Sequence, residues 1–277
     1  MAIRKAAVGA FGAIIIFIVV SGGVRASVIL WVATDDSTDR GYTDYLTSAV
    51  GGGHTVTRSH AHPSGYDFKT PLLPAEKDAL DNDFDLIIVS RNAGSAPYND
   101  PDGWNGTTTP LLLLNAFISR NNYWDWFKTD STTESNLHSM RAVDASDDAF
   151  GGMGLSNGDA LYVADHANLP AANNPRSGDL IARLDNSKYP RIWIARWTGD
   201  ESLFYAETDQ GPGGQRVFFG APASWDDLTD DGKTIFNNLV NSLIPTIAVV
   251  PEPSAFAMWL IALVSLALFH WRKRKAA

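Results

Sequence analysis

The fold class follows from one unbroken apolar run, Val28-Ile29-Leu30-Trp31-Val32-Ala33. Because polar residues do not alternate with the apolar ones, this run is typical of a strand that is buried on both faces of a parallel sheet. A second run of the same character extends from Phe84 to Ser90. Neighbouring parallel strands need long crossover connections, which are usually helices. We therefore expect an α/β protein.

Strand and helix patterns alternate along the rest of the central chain. Further strands are expected at 54–58, 111–118, 160–163, 191–196 and 215–220, and helices at 42–50, 73–80 and 230–243. The last helix has Thr229 as its predicted N-cap and two aspartates in its first turn. The alternation predicts a flavodoxin-like three-layer α/β/α sandwich with a mostly parallel sheet. Residues 121–159 show no clear period and are expected to form surface excursions.

The N-terminal residues 1–26 have the pattern of a secretory signal peptide. Arg4 and Lys5 precede the apolar stretch 6–20, and small residues lie just before Ser27. The apolar stretch is shorter than the roughly 20 residues that span a bilayer. We expect translocation and cleavage by signal peptidase, the alternative being an uncleaved N-terminal anchor.

The C-terminus has three parts in a fixed order. The linker 246–254 contains Pro251-Glu252-Pro253, an apolar segment at 255–271 follows, and Arg272-Lys273-Arg274-Lys275 begins the basic tail 272–277. The apolar segment is long enough for a transmembrane helix, and the basic cluster belongs on the cytoplasmic side. This orientation places the ectodomain, 27–245, outside the inner membrane. The alternative is a plain single-pass tail anchor.

This tail resembles the PEP-CTERM sorting signal of exopolysaccharide-producing Gram-negative bacteria. The resemblance rests on Pro251-Glu252-Pro253, the apolar helix and the basic cluster that starts at Arg272. It implies an inner-membrane-anchored precursor that faces the periplasm and is processed by an exosortase. The processed protein would then reach the cell surface or the extracellular matrix.

The ectodomain resembles the class I glutamine amidotransferase-like fold, including its ThuA-like relatives. The resemblance lies in the order of the segments 85–90, 110–118, 214–220 and 228–236 after a first strand that ends in two aspartates. Amidotransferases use a cysteine nucleophile, and this chain contains no cysteine. Its one Gly-x-Ser-x-Gly sequence, at 154–158, precedes a predicted strand and does not lie between a strand and a helix, so it is not a nucleophile elbow that would substitute a serine. Glutamine hydrolysis by that mechanism is therefore excluded.

The central chain is strongly acidic. Residues 27–250 contain 15 lysines and arginines and 30 aspartates and glutamates. Such a surface repels phosphate backbones, so we expect no nucleic-acid partner. No cofactor is expected either, apart from a divalent cation such as calcium.

Two carboxylates are the candidate metal ligands. Asp35 and Asp36 follow the first strand, at the end where open α/β sheets bind ligands. The alternative is that they cap the following turn and helix. The loop 99–106 resembles part of a calcium loop but lacks the glutamate that such a loop carries at its last position.

A hydrolytic site would combine Asp35, Ser90 and His166, with His166 as base and Ser90, or alternatively Ser119, as nucleophile. Glycan contact is a separate hypothesis, and it rests on Trp124 and Trp126 in the aromatic cluster 123–127. The alternative for this cluster is core packing. The sequence favours an exported cell-envelope protein with a binding or structural role in the exopolysaccharide matrix. The alternative function is an extracytoplasmic hydrolase of carbohydrate or a related polymer, with or without a metal.

Overall fold

A large mixed sheet organises the central part of the chain. The computed structural model describes residues 26–34, 39–129, 132–135, 137–165, 169–173, 177–185, 191–199 and 210–244. The predicted signal peptide, apart from its last residue Ala26, lies outside these ranges, as do the predicted transmembrane helix and the sorting motif. Among the described residues, no helix has the length and apolarity that crossing a membrane requires.

The strands and helices have the following bounds. The strands are β1 (Val28–Val32), β2 (Thr55–Arg58), β3 (Leu86–Val89), β4 (Leu111–Leu113), β5 (Thr133–Ser135), β6 (Ser139–Ala142), β7 (Ala160–Tyr162), β8 (Leu169–Ala171), β9 (Asp179–Leu184), β10 (Ile192–Trp197) and β11 (Arg216–Phe219). The α-helices are α1 (Arg40–Thr47), α2 (Pro74–Asn82), α3 (Pro101–Gly106) and α4 (Asp230–Leu243). Short 3₁₀ helices lie at Ser59–Ala61, Asp148–Phe150 and Trp225–Asp227.

The main sheet has the order β2-β1-β3-β4-β11-β10-β9-β6-β7, and a second sheet pairs β5 with β8. The neighbours from β2 to β11 are parallel. If these five parallel strands are numbered by their order along the chain, with β11 as the fifth, their order in the sheet is 2-1-3-4-5. This is the strand order of flavodoxin-like sheets. From β11 to β7 every pair is antiparallel, so the sheet is mixed and not mostly parallel as expected. The short connection between β9 and β10 can join only antiparallel neighbours.

Helices cover both faces of the parallel half. Along β1, Ile29 and Trp31 point to one face and pack in a cluster with buried residues of α1 and α4. Leu30 and Val32 point to the opposite face and pack with buried residues of α2 and α3. Since successive strand residues point to opposite faces, the unbroken apolar run serves two cores at once. The mixed α/β architecture is thus confirmed.

The N-terminus of α4 forms as predicted. Thr229 is its N-cap, and its Oγ1 accepts a hydrogen bond from the backbone N–H of Gly232 at 3.2 Å. Two aspartates lie in the first turn, where their negative charges interact favourably with the positive end of the helix dipole. The buried face consists of Gly232, Ile235, Phe236, Leu239, Val240 and Leu243.

The strand expected at 111–118 ends at Leu113 because Asn115 turns the chain. The amide Nδ2 of Asn115 donates to the carbonyls of Arg91 and Ala93, at 3.0 and 2.6 Å. Its Oδ1 accepts from the backbone N–H of Phe117 at 2.8 Å. The hydrogen bonds of this buried asparagine therefore replace strand pairing directly after the carboxyl end of β4.

The stretch 121–159 is more than a set of surface excursions. It supplies β6 to the main sheet, and Trp124, Trp126 and Phe127 to the core on the α2–α3 side. The strands in this stretch are only three or four residues long, too short for a recognisable alternation.

Candidate functional site

The carboxyl ends of β1 and β3 meet around a buried carboxylate, Asp39. Asp39 is 2% exposed and precedes α1. Its Oδ2 accepts from Ser90 Oγ at 2.7 Å and from Trp31 Nε1 at 3.1 Å. Its Oδ1 accepts from Asn92 Nδ2. Sequence reasoning placed the carboxylates of this edge at positions 35 and 36 and missed Asp39, whose one signal was its position shortly before the helix predicted at 42–50.

Ser90 is part of this buried network. The residue is fully buried, its hydroxyl donates to Asp39, and its Oγ accepts from the backbone N–H of Asn92 at 2.9 Å. The hydrogen bonds thus fix the hydroxyl between two partners inside the protein. Asp35, Asp36 and His166 lie outside the described residues, so the hydrolytic constellation and the metal site stay predictions.

Tyr42, a buried residue of α1, packs at the same end of the sheet. Its hydroxyl donates to the carbonyl of Pro222 at 2.9 Å, and its ring stacks on Trp31 with 5.8 Å between the ring centroids. Burial raises the pKa of Tyr42 well above its ordinary value, and the nearby carboxylate of Asp39 raises it further. Tyr42 therefore stays a neutral hydrogen-bond donor, which suits a structural role.

The structure places Trp124 and Trp126 in the core and not at a sugar-binding surface. Both side chains are fully buried. Trp124 Nε1 donates to the carbonyl of Tyr98 at 2.8 Å, and its ring stacks on Trp104 at 5.2 Å. Trp126 Nε1 donates to Asn105 Oδ1 at 2.9 Å. Since neighbouring rings cover their faces, neither indole can stack on a glycan in this structure.

An open cavity of about 340 Å³ lies next to these tryptophans, and we call it the Tyr123 groove. It is lined by Asn99, Pro101, Asp102, Asn121, Asn122, Tyr123, Asp125 and Gln210. Six of the lining side chains are amides or carboxylates, so hydrogen-bonding groups dominate its wall. The groove includes the start of the loop that resembles a calcium loop. No group of three or more His, Cys, Asp or Glu side chains that could hold a metal occurs in the described part of the chain.

Two buried acceptors in the groove lack partners. Asn99 Oδ1 and Asn121 Oδ1 are both shielded from solvent and accept no hydrogen bond. On the same wall, the carboxylate of Asp102 accepts from Gln210 Nε2, and Asp125 is only 6% exposed. A buried acceptor without a donor costs about 1–3 kcal/mol. Both oxygens lie too deep for a group of the size of water to reach them in this structure, so the accessible polar atoms of the wall are those that a ligand would contact.

The first turn of α3 positions one side of the groove. Asp100 caps α3 by accepting from the backbone N–H of Gly103 at 3.1 Å, with Pro101 at the first helical position. At the other end of α3, the buried guanidinium of Arg216 donates to the carbonyl of Asn105 at 3.1 Å. Arg216 also donates to the carbonyl of Thr109 at 3.1 Å. A six-residue helix is thereby held at both ends.

The comparisons with known proteins bear mainly on the C-terminus. Residues 249–275 match the family model described as the PEP-CTERM protein-sorting motif. The predicted sorting signal is thereby confirmed, and the match supports an exported protein with a membrane-anchored precursor and an exosortase as its processing partner.

The comparisons add little for the ectodomain. No curated protein matches the chain. Among solved structures, the chain is similar to a protein from Thermoplasma acidophilum that is assigned as a GMP synthase subunit, with 11% identity over 79% of this chain and 95% of that chain, at a TM-score of 0.46. A likeness at this level establishes neither family nor activity. The amidotransferase-like resemblance therefore stays a prediction.

Proposed function

We propose that this protein is exported, processed by an exosortase, and acts at the cell surface or in the exopolysaccharide matrix through binding and not through catalysis. The observation that carries the proposal is the match of residues 249–275 to the PEP-CTERM protein-sorting motif. The translocon and signal peptidase handle the precursor first, and the inner membrane holds it until the exosortase acts.

Two features of the described domain support a binding role. The hydroxyl of Ser90, at the sheet edge where catalytic residues of α/β enzymes often lie, is buried and bound to Asp39. The Tyr123 groove, in contrast, is open and rich in hydrogen-bonding side chains. The amide and carboxylate groups of such a groove can form hydrogen bonds with a polar ligand.

Replacement of Pro251-Glu252-Pro253 by three alanines tests the sorting part of this proposal. We expect the full-length precursor to accumulate in the inner membrane, because the exosortase would lose its recognition segment. The measurement is the intact mass and the subcellular fraction of the protein in its native host. Pro245→Ala, upstream of the matched residues, is the control and should leave processing normal. Unchanged processing of the triple variant would refute the proposal.

A further inference from the structure

We propose that the Tyr123 groove binds the sugar rings of a neutral polysaccharide. The biological setting of this ligand rests on the proposed function, but the recognition itself is argued from the groove. The ligand must match the wall of the groove, which consists mainly of amide and carboxylate side chains.

The amide side chains of the groove define what the ligand must offer. Asn99, Asn121, Asn122 and Gln210 line one cavity. An amide group donates through its nitrogen and accepts through its oxygen, so a ligand that both donates and accepts hydrogen bonds fits this wall. Sugar rings carry adjacent hydroxyl groups, and each hydroxyl donates one hydrogen bond and accepts others. One sugar ring can therefore satisfy several side chains of this wall.

Charge selects against acidic ligands. The carboxylates of Asp102 and Asp125 also line the groove, and the central chain has twice as many acidic as basic residues. An anionic ligand such as a uronate or a phosphate would be repelled by both carboxylates. A neutral hydroxyl, in contrast, can donate to a carboxylate, and such charge-assisted hydrogen bonds are the stronger ones.

The size of the groove also favours an organic ligand over a bare cation. Its volume of about 340 Å³ lies within the range of roughly 300–1,000 Å³ that is typical of small-molecule sites. A calcium ion needs six to eight oxygen ligands at about 2.3–2.6 Å, which requires a tight cage. The groove is open and much larger than such a cage.

Tyr123 supplies an aromatic wall of fixed orientation. The guanidinium of Arg120 lies over its ring, 4.7 Å from the centroid, and Arg120 Nε donates to the carbonyl of Phe117 at 2.8 Å. An aromatic ring that lines a polar groove offers an apolar face for the C–H groups of a sugar ring, while the surrounding amides bind the hydroxyls. Tyr123 therefore takes the stacking role in this proposal.

The buried tryptophans hold this wall in place. Tyr123 and Asp125 line the groove, whereas Trp124 and Trp126 alternate with them and lie in the core. Asp125 has a φ of 60°, in the left-handed region that aspartate adopts more readily than most residues. The anchored indoles thus preorganise the groove, which lowers the entropy cost of binding.

The test uses the full-length protein in detergent micelles and measures its retention on immobilised polymers. The probes are four neutral polysaccharides, a β-glucan, an α-mannan, a xylan and a galactan, together with one polyuronate. We expect retention on at least one neutral polymer. Tyr123→Ala and Asn121→Ala should each weaken it at least tenfold, and Tyr123→Phe should preserve it because the ring is kept. Tyr162→Ala removes a tyrosine that is 48% exposed and lies outside the groove, and it is the matched control.

Several results would overturn the proposal. These are no retention on any neutral polymer, retention only on the polyuronate, and equal retention of the wild type and Tyr123→Ala. Thermal unfolding of each variant checks that the protein is folded, and Asn121→Ala provides the second readout should Tyr123→Ala unfold. Exosortase processing is measured separately, so normal processing without glycan retention would refute this site and leave the proposed sorting intact.

Discussion

At the scale of single residues, Asp39 shows how far the sequence can locate a site. The apolar strands predicted the end of the sheet where polar side chains collect, and the structure places buried Asp39 and Ser90 there, together with half-buried Asn92. Which aspartate of the following segment turns inward depends on contacts with β3, which is distant in the sequence. Burial of that kind leaves no local pattern, so Asp39 could not be singled out.

We expect Asp39→Asn to destabilise the protein by about 2 kcal/mol, because the new amide group would face the donors that now bind a carboxylate. The measurement is the free energy of unfolding in urea. Asp44→Asn is the control, since Asp44 lies in the same helix, α1, with an exposed side chain. Equal stability of the two variants would contradict the structural role of Asp39.

In the aromatic cluster at 123–127, too, the sequence did not show which side chains are buried. The sequence predicted either glycan contact or core packing for its tryptophans, and both kinds of position occur within the cluster. Tyr123 lines a groove while Trp124 and Trp126 are buried. Because the segment is a loop, no helix or strand period told the two kinds apart.

At the scale of secondary-structure elements, strong local signals were predictive and weak ones were not. The cap and the apolar spacing of α4 predicted its start at Asp230 and its buried face correctly. The antiparallel half of the sheet was only partly foreseen. The predicted strands at 160–163 and 191–196 correspond to β7 and β10, whereas β6, with four residues, and β9, with six, were not predicted. β9 pairs with β6 and so joins β6 and β7 to the rest of the sheet.

Thr229→Ala should destabilise the protein by about 1 kcal/mol, the typical loss when an N-cap hydroxyl is removed. Thr229 Oγ1 accepts from the N–H of Gly232 and also donates to the carbonyl of Tyr162 at 2.9 Å, so two contacts disappear together. The shift of the urea midpoint measures the effect. Thr229→Ser keeps the hydroxyl and should behave almost as the wild type; a loss of similar size in Thr229→Ser would point to the methyl group instead.

At the scale of the whole molecule, the sequence was most informative at the C-terminus. Sorting signals depend on composition and order, and the segment 249–275 carries both. The ectodomain is different, because the Tyr123 groove is lined by side chains from distant segments such as 99–102 and 121–125. Only the fold brings these segments into one groove.

Self-repulsion of the acidic ectodomain should make its stability depend on salt. Residues 27–250 carry 15 basic and 30 acidic side chains. Raising sodium chloride from about 10 mM to about 0.2 M shortens the screening length severalfold, and we expect Tm to rise by about 3 °C. Scanning calorimetry measures this shift. Choline chloride of equal ionic strength should give the same curve, and a Tm that falls with both salts would contradict the expectation.

The position of β11 in the sheet has a consequence for how the molecule matures. This late strand, Arg216–Phe219, is the bridge between β4 on one side and β10 on the other. A nascent chain that ends before residue 216 lacks the strand that joins these two neighbours, so the parallel and antiparallel halves of the sheet cannot yet be continuous. Completion of the nine-stranded sheet therefore waits until nearly all of the described domain has been synthesised.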